Sequence, residues 1–339
     1  MLKKTYSLLL ILLFISGCAS SVDPSLSDRH YKADFSHAEI TLMDDAIPFN
    51  NYTQWLEDTK SKNPRGVDGF QRSLDPAEFA RFKNSVESKW MAYQSEGLKI
   101  SGVVAYPKNW SGEKLPVVIF NRGGHNFGGK TLGGNSRLSL YKLILPLAEQ
   151  GYIVLASNYR GSKFSQGKDE FGGNDVNDVL RLIDIVDSIS FADNTRIAMV
   201  GWSRGAMMTL LAARQTSRLK TAAVVAGNVD MFASLKHRPN MEKVLVRLVP
   251  DFDKNRHKAL EERSAIFWLD ELNPKMPLLI MHGTADWRVA YQQSEMLADK
   301  LNVLGHPHQF RRFKDGDHGL TFYKQEWQNS LFIWLKDTL

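Results

Sequence analysis

The chain has 339 residues, of which 43% are hydrophobic and 24% are charged, a composition typical of a globular protein with one large domain and an extension, or with two small domains. Its formal net charge of +6 is scattered among acidic residues without a block of like charge, which argues against a nucleic-acid-binding surface. No internal repeat or low-complexity segment is present.

The N-terminal residues predict a secretory signal. Lys3 and Lys4 precede an apolar run from Leu8 to Ile15, which is too short to span a bilayer. The run ends in Ile-Ser-Gly-Cys, which resembles the lipobox of bacterial lipoproteins and implies cleavage before Cys18 and a lipid on its sulfur. Cys18 is the only cysteine in the chain, so it cannot form an internal disulfide. A plain signal peptide with an incidental cysteine is the alternative.

The residues after this signal predict an extension ahead of a main domain. Residues 20–32 are polar and serine-rich, as in a tether. A helix is predicted at 75–89, where Asp75 can cap the first turn and Pro76 suits the first helical position. The chain therefore divides into a lipoprotein signal peptide at 1–17, a tether and N-terminal extension at 18–89, and a main domain at 90–339. The lipid and the signal predict a location in the bacterial cell envelope, on the periplasmic side of the outer membrane or on the outer face of the membrane.

Beyond Trp90 the sequence alternates between short apolar strands and amphipathic helices. Two strands joined by a turn at Glu96 and Gly97 come first. Buried strands are predicted around Val117, Ile153, Ile197, Ala222 and Leu278, and a shorter strand at 308–313. Helices are predicted at 141–150, from Asn174 or Asp175 to 189, at 291–305 and at 323–339, and the segment 228–273 is predicted to be largely helical. This alternation predicts a mostly parallel central sheet with helices on both faces.

A serine between two glycines lies where one of these strands gives way to a helix. The stretch Gly201-Trp-Ser203-Arg-Gly205 follows the strand around Ile197. A serine in such a turn has a strained backbone, so the residues two before and two after it must be small. The positive end of the following helix favours an oxyanion beside the serine. The pattern predicts that Ser203 is a nucleophile; an ordinary glycine-rich turn is the alternative.

A base and an acid follow Ser203 in the order that this arrangement requires. A serine hydroxyl needs a base, and the base needs an orienting carboxylate. Asp286 and His318 each follow the carboxyl end of a predicted strand, in the order serine, acid, histidine. His282, at the edge of a buried strand, is the rival base, and we interpret it as structural. Asp315 and Asp317 lie so close to His318 in sequence that we expect them to solvate its loop.

Backbone N–H groups at two places are predicted to bind the oxyanion. One is the N–H of Arg204, the residue after the nucleophile. The other comes from the loop after the strand around Val117, where Gly123 and Gly124 allow a substrate to approach the backbone closely. A flexible turn without a catalytic role is the alternative for this loop.

From about Trp90 to Leu339 the sequence resembles the catalytic domain of the prolyl oligopeptidase (S9) group, which has an α/β-hydrolase fold. Five motifs match in order: NYRGS at 158–162, FGGNDVNDV at 171–179, GWSRG at 201–205, HGTADWRV at 282–289 and GDHGL at 316–320. The resemblance implies that Ser203 is the nucleophile, Asp286 the acid and His318 the base. It also implies a serine peptidase that acts on short peptides or acyl-peptides through an acyl-enzyme.

The sequence departs from that group in one respect that leaves other functions open. Only about seventy residues lie between Cys18 and Trp90, too few for the β-propeller that gates those peptidases. A carboxylesterase with the same triad and an inactive, surface-anchored binding lipoprotein are therefore the alternatives. The predicted partners are a peptide or ester substrate and, through the lipid, a membrane. No cofactor or metal is expected, since no cluster of His, Cys and Asp shows ligand spacing.

Specificity is predicted to depend on the segment 228–273, with Trp202 and Trp287 nearby. Its large apolar residues either line a pocket or belong to the core: Met231, Phe232, Phe252, Phe267 and Trp268. Arg122 and Arg204 either hold a substrate carboxylate or pair with acids at the surface.

Overall fold

The computed structural model describes residues 33–62, 68, 71, 74–125, 139–162 and 164–339. The predicted signal peptide, Cys18 and the tether lie outside these residues. Within them nine strands form one sheet in the order β1-β2-β3-β5-β4-β6-β7-β8-β9. The strands are β1 (Ile40–Asp45), β2 (Val86–Ser95), β3 (Leu98–Pro107), β4 (Leu115–Asn121), β5 (Ile153–Ser157), β6 (Ala192–Trp202), β7 (Leu219–Val225), β8 (Leu278–Gly283) and β9 (His308–Phe313).

The direction of the strands divides the sheet into two parts. Strand β2 is antiparallel to both of its neighbours, β1 and β3, and β3 is antiparallel to β5. From β5 to β9 every pair is parallel. The mostly parallel sheet predicted from the sequence is confirmed, and its centre consists of the predicted strands around Val117, Ile153, Ile197, Ala222 and Leu278. The α/β-hydrolase fold follows from this topology together with the covering helices.

The helices connect the strands and cover the sheet. The α-helices of the described ranges are α1 (Tyr52–Lys62), α2 (Pro76–Ser85), α3 (Leu145–Glu149), α4 (Asp175–Val186), α5 (Arg204–Ala213), α6 (Met231–His237), α7 (Glu242–Leu248), α8 (Phe252–Glu262), α9 (Gln292–Val303) and α10 (Lys324–Thr338). A π-helical turn at Leu140–Ile144 precedes α3, so the helix predicted at 141–150 begins with wider geometry. In these ranges no helix is both long and apolar enough to cross a bilayer.

Alternation along the buried strands produces two apolar layers, one on each face. In β4, Val117 and Ile119 face one layer and Val118 and Phe120 face the other, as the period of two in a strand requires. The first layer contains buried residues of α4, α5 and α9, and the second contains residues of α1, α2, α3 and α10. Helices therefore cover both faces, as predicted.

The helix predicted at 75–89 is shorter than expected. It begins as predicted, with the Asp75 carboxylate accepting a hydrogen bond from the Glu78 N–H and with Pro76 in its first turn. It ends at Ser85, because Val86 has an extended backbone and pairs with Pro107 of β3. Strand pairing along the whole of β2 therefore overrides the helical pattern at 86–89.

The N-terminal extension joins the fold through one strand and one helix that the sequence does not reveal. Strand β1 pairs with β2 at the edge of the sheet. Helix α1 buries Trp55, whose ring lies 5.4 Å from that of Tyr141 and 6.4 Å from that of Phe79. The extension thus shares a core with the main domain.

Replacing Phe79 by Ala tests this shared core. Phe79 is 2% exposed and packs on α1 and on Tyr141, so we expect Phe79→Ala to lower the free energy of unfolding by about 3–5 kcal/mol. The matched control is Phe322→Ala, because Phe322 is 89% exposed and its loss should change stability by less than about 0.5 kcal/mol. Urea unfolding followed by tryptophan fluorescence measures both. Equal effects would contradict a common core.

Candidate active site

Ser203 occupies the junction between β6 and α5 in a strained conformation. Its φ of 59° and ψ of −123° lie in a region that non-glycine residues rarely adopt. The turn is closed on both sides: a Cβ on Gly205 would lie 1.8 Å from the Asn121 carbonyl oxygen, and one on Gly201 would lie 2.1 Å from that of Gly205. The Ser203 N–H donates to the Val225 carbonyl oxygen at 2.8 Å. The small flanking residues predicted from the sequence are therefore required by the packing.

Asp286 and His318 come together at the carboxyl ends of β8 and β9. His318 Nδ1 donates to Asp286 Oδ2 at 2.7 Å. Asp286 is 6% exposed, and its other oxygen accepts hydrogen bonds from the N–H groups of Arg288 at 2.8 Å and Val289 at 3.0 Å. These bonds fix the carboxylate and, through it, the imidazole, which leaves Nε2 of His318 for a further partner.

His282 holds the same carboxylate from the other side. Its Nε2 donates to Asp286 Oδ2 at 2.9 Å, and its Nδ1 is 2.7 Å from the Ser294 hydroxyl on α9. The ring is fully buried, so it has no access to a substrate. The structure therefore agrees with a structural role for His282, and it adds one that the sequence did not predict, namely positioning of Asp286.

The pKa of the Asp286 carboxyl lies well below its usual range. Burial by itself raises this pKa, because it disfavours the charged form. The hydrogen bonds from His282 and His318, the charge of His318 and the Val289 N–H together outweigh burial. Asp286 is therefore a carboxylate near neutral pH.

The residue before the nucleophile also contacts the histidine loop. The Trp202 indole Nε1 donates to the His318 carbonyl oxygen at 3.1 Å. The indole packs edge-on against Trp327 of α10, with the ring centroids 5.1 Å apart. Strand β6, the histidine loop and the C-terminal helix are thereby connected at one point.

Ser203 and His318 line one cavity of about 640 Å³. The loop predicted to bind the oxyanion lines the same cavity and lies directly beside Ser203. A Cβ on Gly123 would be 3.1 Å from the Ser203 Cβ and 3.7 Å from the Ser203 Oγ. Gly124 follows with a φ of +76°. Arg204 is the first residue of α5, where N–H groups lack a partner within the helix. The residues predicted for the oxyanion site are therefore next to the serine.

The Arg204 side chain is buried and already paired, so it does not bind substrate. It is 2% exposed, pairs with Asp169 at 2.7 Å and with Asp175, and lies over the Phe171 ring at 4.6 Å. The Asp175 carboxylate also accepts hydrogen bonds from the N–H groups of Gly172 and Gly173. Arg204 thus pairs with acids, but these acids are buried behind the nucleophile and not at the surface as expected.

Arg122 is equally buried but has neutral partners. Its guanidinium donates to the Asn158 carbonyl oxygen at 2.7 Å, the Gly123 carbonyl oxygen at 3.0 Å and the Ser162 hydroxyl at 2.7 Å. Burial lowers its pKa to about 10, and the charge of Arg204 contributes to the decrease. Arg122 therefore orients the oxyanion loop and does not pair with a surface acid, contrary to that expectation.

The segment 228–273 contributes polar residues to the cavity more than apolar ones. Met231, Phe252 and Trp268 are at most 4% exposed and belong to the core, and Phe232 packs against it. Phe267 is 53% exposed and belongs neither to the core nor to the cavity lining, so neither alternative holds for it. The members of this segment that line the cavity are Asn228, Arg238 and Met241. Trp202 and Trp287 line it as expected. Arg288 and Lys142 also line it, and no local pattern in the sequence predicted a place in the cavity for these two residues or for Arg238.

Comparison with known proteins identifies the family. Residues 139–339 match the sequence profile of the prolyl oligopeptidase family, peptidase S9, over more than half of the chain. The chain belongs to the prolyl oligopeptidase family. An uncharacterized peptidase of Bacillus subtilis, YtmA, is 27% identical over 219 residues, which cover 64% of this chain and 80% of that protein. Dipeptidyl-peptidase 5 of Porphyromonas gingivalis is 27% identical over 252 residues, 68% of this chain and 34% of that protein.

Solved structures of the S9 family share the fold. The acylaminoacyl peptidase of Pyrococcus horikoshii superposes with a TM-score of 0.65 at 23% sequence identity, over 78% of this chain and 44% of that one. A puromycin-hydrolyzing peptidase of Mycobacterium tuberculosis superposes with a TM-score of 0.62 at 24% identity, over 74% of this chain and 39% of that one. The chain therefore spans less than half the length of these two structures.

The low pKa of Asp286 predicts a dependence of stability on pH. A carboxyl with a depressed folded-state pKa stabilises the fold above its unfolded pKa of about 3.9, and this stabilisation is lost as the pH falls through the folded pKa. Asp286→Asn should therefore lower the free energy of unfolding by about 2 kcal/mol near neutral pH. The deficit should shrink as the pH falls from about 5 towards 2. Urea titrations at several pH values measure it.

Asp315→Asn is the matched control for this experiment. Asp315 is an exposed neighbour in the histidine loop with a φ of 53°, a conformation that asparagine also adopts. Its replacement should leave the pH dependence of stability unchanged. A deficit of Asp286→Asn that stays constant with pH would show that the carboxylate charge is not what the surrounding hydrogen bonds stabilise.

Proposed function

We propose that this chain is a serine peptidase that hydrolyses amide bonds of short peptides or acyl-peptides through an acyl-enzyme. The observation that carries the proposal is the strained Ser203 in one cavity with His318, whose Nδ1 is held by Asp286. The same three residue types in this chain order form the triad of α/β-hydrolases. Membership of the prolyl oligopeptidase family favours the peptidase over the carboxylesterase and the inactive lipoprotein.

Each step of the reaction then has a residue assigned to it. His318 Nε2 takes the proton of the Ser203 hydroxyl, and the oxygen attacks the scissile carbonyl carbon. The resulting oxyanion lies against the N–H groups of Arg204 and of the loop at Gly123 and Gly124, which act where the charge develops. His318 returns the proton to the leaving amine. Water, deprotonated by the same ring, then releases the acid product and restores Ser203.

Labelling with a fluorophosphonate tests the nucleophile. We expect the wild-type chain to be labelled and Ser203→Ala to remain unlabelled, because the probe reacts with an activated serine. Ser203→Ala should also lower amide turnover by about 10⁴-fold or more. Ser217→Ala, at an exposed serine outside the cavity lining, should be labelled like the wild type. Equal labelling of wild type and Ser203→Ala would contradict the assignment.

Matched aryl esters and acyl-aminoacyl arylamides separate the peptidase from the esterase. Both substrates release a chromophore, but the arylamide depends more strongly on protonation of its leaving group by His318. We expect wild-type turnover of both. Ester turnover without any arylamide cleavage would favour the carboxylesterase. Labelling by the fluorophosphonate without turnover of either substrate would contradict the proposed peptidase.

We further propose that the mature protein is anchored by a lipid on Cys18 and located at the bacterial cell envelope. The support is the sequence alone: a basic and apolar leader, the Ile-Ser-Gly-Cys stretch at 15–18 and the single cysteine. Two acyl chains would hold an otherwise globular protein at the membrane.

Cys18→Ser tests the anchor in the full chain expressed in a bacterium. We expect this variant to leave the membrane fraction and to lose incorporation of an alkyne-tagged fatty acid, because the acyl acceptor is the cysteine sulfur. The control Ser20→Ala should stay in the membrane fraction with its label. A wild-type chain without fatty-acid label would show a plain signal peptide.

A further inference from the structure

The cavity beside Ser203 has an excess of basic side chains. Among the described residues, its lining has a single carboxylate, Asp317, and five basic side chains: Arg122, Lys142, Arg204, Arg238 and Arg288. The Asp317 oxygens each accept a hydrogen bond of 2.7 Å from Thr321, one from its N–H and one from its hydroxyl. A protonated amine on a substrate therefore meets few acceptors here, whereas an anion meets several donors.

Three of the five basic side chains are less available to a ligand. Arg122 and Arg204 are 2% exposed and donate to the buried partners described above. Lys142 is half-buried; burial lowers its pKa, and the charge of Asp317 opposes this decrease. Burial therefore closes Arg122 and Arg204 off from a ligand, and Lys142 has the negative charge of Asp317 near it.

Arg238 and Arg288, here named the basic edge, are different. Within the part of the chain that the structure describes, neither guanidinium has a carboxylate within 4.0 Å. The two residues are tied together, since Arg238 Nη1 donates to the Arg288 carbonyl oxygen at 3.3 Å. The preceding residues make a second tie, from His237 Nε2 to the Trp287 carbonyl oxygen at 3.1 Å. The end of α6 thus holds its arginine beside the loop that carries Asp286.

The surroundings strengthen an interaction of the basic edge with an anion. Arg288 stacks on the Trp287 ring at 4.9 Å, which limits the freedom of its long side chain. Across the lining, burial lowers the pKa of His125, and the charges of Arg204, Arg238 and Arg122 contribute, while Asp169 opposes them. A walled cavity with unbalanced positive charge attracts anions more strongly than an open surface does.

We propose that the basic edge binds a carboxylate of the substrate, so that the chain prefers anionic peptides. This inference rests on the proposed function, because it names the substrate class of the same site. Guanidinium groups bind carboxylates through paired, charge-assisted hydrogen bonds. The carboxylate comes either from an acidic side chain near the scissile bond or from the free C-terminus of a short peptide, and the two sources differ in the substrates that reveal them.

Turnover of two matched substrate series tests the preference and its source. The first series holds N-acetylated dipeptidyl arylamides that differ only in Glu, Gln or Lys. The second holds N-acetylated tetrapeptides with a free or an amidated C-terminus. In one of the two series we expect kcat/KM of the anionic member to exceed that of its neutral partner by about tenfold or more. Equal values in both series would overturn the proposal while leaving the peptidase assignment intact.

Variants assign the preference to the basic edge. Arg238→Gln should reduce the anionic-to-neutral ratio of kcat/KM by about tenfold, and Arg288→Gln should reduce it as well. If Arg238→Gln does not fold, the exposed Arg288 carries the same test. The matched control is Arg311→Gln, because Arg311 is exposed on β9 and does not line the cavity. An unchanged ratio in the folded Arg238 and Arg288 variants would overturn the proposal.

Binding to Ser203→Ala tests the basic edge without any turnover. Calorimetry with the acetylated peptides that carry the carboxylate and with their neutral partners should show weaker binding of the neutral member, and the difference should shrink at high salt. Failure of every amide to be cleaved with this difference present would reject the peptidase and keep the anion site. The absence of any difference would reject the anion site.

Discussion

The junction between β6 and α5 is the constraint on which the rest of the site depends. Ser203 can hold a left-handed backbone only because Gly205 allows α5 to start directly against the end of β4. The same closeness brings the loop after β4, with Gly123, to the serine. One tight contact between backbones therefore positions both Ser203 and the N–H groups proposed to bind the oxyanion.

Buried ion pairs stabilise the junction between β6 and α5. Arg204 is the first residue of α5, and its ion pairs with Asp169 and Asp175 fix the loop after β5 and the first residue of α4 to the turn at Ser203. Removing one member of such a set would leave an uncompensated charge in the core, which is far more costly than losing an exposed pair. These buried ion pairs hold the turn at Ser203 in place. The parallel strands β8 and β9 end at the same edge of the sheet, which brings Asp286 and His318 close to that turn.

Local patterns in the sequence predicted most of the fold and singled out Ser203, Asp286 and His318, because continuous apolar strands, glycine spacing and chain order can be recognised in short segments. Strand β1 was not predicted because Ile40 is its one buried residue and the strand is held mainly by pairing with β2. The hydrogen bond from His282 to Asp286 spans only four residues, but it depends on the path of the loop after β8, which the apolar and glycine patterns do not encode. The tie between Arg238 and Arg288 is a contact between elements. No pattern within a single segment encodes a partner fifty positions away.

Trp202, the residue between Gly201 and Ser203, has a structural role of its own. Its hydrogen bond to the His318 carbonyl oxygen joins the nucleophile's strand to the loop of the base, and Trp327 backs it from the last helix. Because Trp327 packs on the indole that joins β6 to the histidine loop, the last helix supports the positions of Ser203 and His318 together.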